Sequence, residues 1–62
     1  MRIDDVANER ELRHVSLGLA ESEAIELRDA LNTLLGDPEP RHEHVSSADY
    51  DRELTVWIVR KE

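Results

Sequence analysis

The sequence predicts a small α+β fold: a single helix packed on one face of a three-stranded, mainly antiparallel sheet, in the order strand-helix-strand-strand. Three observations carry that expectation. Apolar residues recur at helical spacing between positions 21 and 35, period-2 segments flank this stretch, and the segment 54–60 is apolar on both of its faces.

The first strand is expected over residues 12–19. There Arg13, Val15, Leu17 and Leu19 alternate with Leu12, His14, Ser16 and Gly18, so Val15, Leu17 and Leu19 should face the helix. The helix is expected from about Glu21 to Leu35, with Ala24, Leu27, Leu31, Leu34 and Leu35 as its apolar stripe. Carboxylates crowd its first half, where the helix dipole favours them. Gly36 is placed to take a left-handed C-cap conformation, and Pro38 forbids continuation.

After the helix, His42, His44 and Ser46 alternate with Glu43, Val45 and Ser47, and a turn around residues 48–52 leads into the last strand. That strand puts Leu54, Val56 and Ile58 on one face and Thr55, Trp57 and Val59 on the other. Neither face reads as solvated, which fits a central strand flanked by the other two, with a right-handed crossover between the outer pair. Residues 1–6 add a fourth, edge strand if the chain turns at Asn8 and Glu9.

At 62 residues the chain is a single domain, 1–62, and a domain of that size buries roughly 60% of the surface its unfolded chain exposes. Such small cores usually need a staple, and with no cysteine the disulfide route is closed, which leaves metal binding or self-association. Eight basic against fifteen acidic residues give a net charge of -7, the wrong sign for tracking phosphates, so no nucleic-acid partner is expected. No apolar run approaches a membrane span, and residues 1–11 carry charge where a signal peptide needs an apolar stretch. The expectation is a soluble cytoplasmic protein with no membrane partner.

One helix covers one face of a sheet. The other face should present His14 and Ser16, then His42, His44 and Ser46, then Thr55, Trp57 and Val59. A second copy packing here would bury Trp57 and Val59 across a two-fold axis, and tryptophan is a common interface anchor. Homodimerisation through Trp57, Val59, Thr55, His14, Ser16, His42 and His44 is therefore the leading expectation. The alternative is a small metal-binding or enzymatic dimer. His42-x-His44 sets two imidazoles on one face about 7 Å apart along the strand, and His14 is the third candidate ligand. No cysteine accompanies them and no carboxylate is clearly placed beside them, so no bound metal or cofactor is expected.

Catalysis is not expected either. Ser46, Ser47 and Asp49 lie near His44 in sequence, but strand neighbours point to opposite faces and triads assemble across a fold. There is no glycine-rich phosphate loop. The carboxylates Glu21, Glu23, Glu26 and Asp29, continued by Asp37 and Glu39, supply solubility and, as a second expectation, a surface for a basic protein partner.

The run 17–24 (Leu-Gly-Leu-Ala-Glu-Ser-Glu-Ala), then Leu27 to Leu31, His42-Glu43-His44-Val45 and Glu53-Leu54-Thr55-Val56, resembles short uncharacterised actinobacterial proteins. It is also loosely similar to a small immunity-protein family of bacterial polymorphic toxin systems. The pattern covers about two-thirds of the chain, and it departs at Ala20, where that family carries a threonine or serine helix cap. The resemblance implies a bacterial protein that binds another protein and is not an enzyme, with the acidic surface as the contact.

Overall fold

The computed structural model describes residues 1–39, 41–47, 49 and 51–59, which form two hairpins and one helix. The elements in order are β1 (Asp4–Asp5), β2 (Arg10–Glu11), α1 (Glu21–Gly36), β3 (His42–Ser46) and β4 (Glu53–Trp57). β1 pairs antiparallel with β2, β3 pairs antiparallel with β4, and the two pairs are separate sheets.

The first hairpin is built by local polar contacts. The Asp5 carboxylate accepts from the Asn8 backbone N–H at 3.3 Å and from its side-chain amide at 2.7 Å, closing the turn over residues 6–9. Those bonds favour the ionised form and hold the Asp5 carboxyl below the usual range. Glu9 completes the turn at φ 52°, a left-handed conformation that costs a non-glycine residue about 1–2 kcal/mol. The pairing runs one step further through Leu12 N–H to the Ile3 carbonyl at 2.6 Å.

Residues 12–20 then connect to α1 outside any strand. Ala20 is the N-cap residue, and alanine has no side-chain acceptor to offer. Half of a capping box forms nonetheless, with Ala20 N–H donating to Glu23 Oε1 at 2.7 Å. At the other end Gly36 is the last helical residue, and neither glycine has a positive φ. The helix is stopped by Asp37, extended at φ -104° and ψ 121°, whose N–H donates to the Leu34 carbonyl at 3.3 Å. A residue before proline is driven out of the helical region, so Pro38 acts through Asp37. The expected left-handed Gly36 is corrected on this point.

The covered stripe of α1 is Glu23, Leu27, Ala30 and Leu34, spaced 4, 3 and 4 residues apart. Leu34 (3% exposed) meets Val45 of β3 (5% exposed) as the core, and Leu54, Val56 and Ile58 are half-buried around it. Ala24, Leu31 and Leu35, expected in the stripe, lie exposed on its flanks. A two-stranded hairpin is too narrow to cover a broader face. The β3–β4 turn is closed by Ser47 N–H to the Arg52 carbonyl at 2.9 Å and Arg52 N–H to Ser47 Oγ at 3.0 Å.

The three-stranded sheet is not formed among the described residues. Residues 13–19 pair with neither β3 nor β4, so β4 is an edge strand and not a central one. Residues 1–6 do supply a strand, with the turn at Asn8 and Glu9, but it pairs with β2 in its own sheet. Of the last strand's expected span, Arg60 lies outside the described residues. Val15, Leu17 and Leu19 remain 46%, 50% and 40% exposed, where the alternation had them facing the helix. The chain is correspondingly open: its accessible surface is 5600 Å² where a folded monomer of this mass exposes about 4,100 Å². Its radius of gyration is 12.4 Å against about 10.6 Å for a compact 62-residue domain.

Candidate functional site

The register of β3 and β4 settles which side chains share a face. His42 opposes Trp57, His44 opposes Thr55 and Ser46 opposes Glu53, while Glu43 opposes Val56 and Val45 opposes Leu54. Directly opposed residues point the same way. Val45 is buried under α1, so its set faces the helix. His42, His44, Ser46, Glu53, Thr55 and Trp57 make up the opposite, uncovered face.

His44 is held from two sides. Its Nδ1 lies 2.5 Å from Glu53 Oε1 and 3.0 Å from Thr55 Oγ1. With Nδ1–H donated to the carboxylate, Nε2 is the ring nitrogen left without the proton, an assignment that follows from the hydrogen-bond network. The ring of His42 packs edge-on against His44, centroids 4.9 Å apart and planes at 85°. Trp57, opposite His42, is 42% exposed.

A shallow, open depression at this end of the hairpin is lined by Arg41, His42, Thr55, Trp57 and Ile58. Arg41 is steadied by Asp37 at 2.9 Å, an ion pair that ties the end of α1 to the start of β3. An indole face beside imidazole, hydroxyl and guanidinium groups offers apolar area with hydrogen-bonding groups around it.

The other candidates fall elsewhere. His14 and Ser16 are exposed in the 12–20 connection and are not brought to the face by strand pairing; Val59, 40% exposed, lies beyond the end of β4. Among the described residues no three His, Cys, Asp or Glu side chains converge as a metal-ligand set. Ser47 and Asp49 are occupied in the turn: Ser47 Oγ donates to Asp49 Oδ1 at 2.6 Å, and Asp51 N–H donates to the same oxygen at 3.1 Å. The first of these bonds, then the second, holds the Asp49 carboxyl below its usual range.

On α1, Glu21, Glu26 and Asp29 are exposed, whereas Glu23 is half-buried at the helix start. Asp29 accepts from Arg28 Nε at 3.1 Å and Nη2 at 3.0 Å, so part of its charge is met locally. Two residues were missed by sequence reasoning, Glu53 of the face and Arg41 of the depression. Glu53 reaches His44 diagonally across the strands, a relation that follows only once the register is fixed by the turn.

The fold and this face define a small acidic α+β chain whose β3–β4 sheet carries α1 on one side and, among the described residues, no element on the other. No family model, curated protein or solved structure matches it. Among the described residues no helix is long and apolar enough to cross a membrane.

Proposed function

We propose that the chain is a non-enzymatic, cytoplasmic protein-binding or regulatory module that homodimerises through the uncovered face of β3 and β4. The observation that carries this reading is Trp57, half-exposed beside His42, His44 and Thr55 and, among the described residues, with no element over it. The accessible surface adds support, since it exceeds that of a folded monomer by about 1,500 Å². A standard interface removes about 800 Å² per partner. Val59, beyond the end of β4, joins this face only if the strand continues past Trp57, and His14 and Ser16 join it only if residues 13–19 move alongside.

The exposed carboxylates Glu21, Glu26 and Asp29, with Glu23 at the helix start, are the proposed contact for a basic protein partner. This is in keeping with the likeness to immunity proteins of toxin systems. The pinned His44 favours a second reading, a metal-binding or enzymatic dimer using His14, His42 and His44. A complete ligand set would then have to come from both copies.

Native mass spectrometry of the chain separates these readings. A dimer without metal is expected. Trp57→Glu should give a monomer with an unchanged helical signal, and Thr55→Glu should have a milder effect. A wild-type chain that stays monomeric and metal-free at tens of micromolar would overturn both readings.

A further inference from the structure

We infer that the outer edge of β4 is a strand-docking site, and that its occupant is residues 13–19 of a second copy of this chain. The inference rests on the dimer proposed above and adds a second contact, the sheet edge, to the sheet face.

The edge itself is open. β4 has β3 on one side and no strand on the other among the described residues. An unpaired edge presents a row of N–H and C=O groups, a template for a further strand. The half-buried Leu54 and Val56 on its helix-facing side are only partly covered.

Residues 13–19 have what that edge lacks. Among the described residues their backbone groups make no hydrogen bond within the chain: pairing ends at Leu12 N–H, and bonding resumes at Ala20, whose N–H donates to Glu23 Oε1 at 2.7 Å and whose carbonyl accepts from Ala24 N–H at 2.9 Å. Their side chains alternate with the period of a strand. Set beside β4, Val15, Leu17 and Leu19 would continue the Leu54–Val56 face on the side of the sheet that carries α1. Arg13 would bring a cation to an acidic chain, and His14 and Ser16 would fall on the histidine face beside Thr55 and Trp57.

A second copy is the fitting source because of Ala20. This single extended residue, at φ -66° and ψ 158°, is all that separates Leu19 from the first residue of α1. Strand-to-helix connections in such units commonly need two to six residues. Docking on its own sheet would require the chain to reverse within one residue of Leu19; docking on a partner's sheet does not.

The test mixes equal amounts of ¹³C-labelled and unlabelled chain and records isotope-filtered contacts between the methyl groups of Val15, Leu17 and Leu19 and those of Leu54, Val56 and Ile58. Contacts between labelled and unlabelled chains are expected. In sedimentation, Ser16→Pro and Leu17→Pro remove N–H groups pointing to opposite edges. One of the two should raise the dimer dissociation constant at least about tenfold while the helical signal stays unchanged.

Contacts only within one chain, or a dimer in which neither proline variant changes the mass, would overturn the edge inference and leave the face reading standing. Intermolecular methyl contacts that persist in a dimeric Trp57→Glu variant would uphold the edge and sink the face. A monomeric wild type would end both.

Discussion

Replacing Gly36 by alanine should stabilise the protein, and the sign of the effect decides how α1 ends. Gly36 is the last helical residue and its φ is not positive. A Cβ placed on it would meet nothing within 4 Å. The substitution therefore costs no contact and no strain. It gains helix propensity, about 0.8–1 kcal/mol in a helix interior, about half of which is expected at a terminal position. Unfolding entropy for a chain of this length is near 0.13 kcal/mol/K, so the midpoint should rise by about 3–4 °C. If the helix instead ended on a left-handed Gly36, alanine would cost about 1–2 kcal/mol and the midpoint would fall by about 8 °C or more. Thermal unfolding followed at 222 nm reads the difference directly. A clear fall would refute the account in which Pro38 stops the helix through Asp37.

Leu34→Ala should cost about 2–5 kcal/mol and leave little folded chain, whereas Leu35→Ala, at an exposed position, should change the urea midpoint hardly at all; comparable losses at both would mean the covered stripe has been misplaced. Glu9→Gly should relieve the left-handed turn residue by about 1 kcal/mol, seen as slower amide exchange over residues 4–11; faster exchange would contradict the turn geometry. Asp5 and Asp49 both titrate below the usual carboxylate range, so their contribution is present above about pH 4 and disappears as the pH falls through their depressed native values. Carboxyl-carbon NMR should show both low values, with Ser47→Ala returning Asp49 towards normal and leaving Asp5 unmoved.

The helix and the second hairpin were legible in the sequence because each carries its own signal. Leu27 and Leu34 recur at helical spacing, Pro38 marks a stop, and residues 42–47 and 54–59 alternate on either side of an Asp-rich turn. The same alternation placed His42, His44, Thr55 and Trp57 together before any register was known. Residues 13–19 show where such reasoning ends. Alternation states which side chains would share a face if the segment paired, but not whether an edge within the chain can be reached, and the single-residue link at Ala20 bears on that. Gly36 illustrates a second gap: glycine after a leucine run reads as a cap, yet the stronger constraint came from a proline two positions on. The Glu53–His44 contact was hidden because a diagonal pair depends on the turn that sets the register.

The β4 edge, which no described strand pairs, also bears on how the protein behaves when crowded. Exchange of residues 13–19 closes a pair only if both copies give and receive; a one-way gift leaves a fresh edge exposed, and each addition then recruits the next, producing open-ended polymers. A net charge of -7 works against such growth by mutual repulsion, and added salt screens that repulsion. Storage conditions for this protein should therefore keep ionic strength low, and a rise in light scattering on salt addition would mark the moment when reciprocity fails.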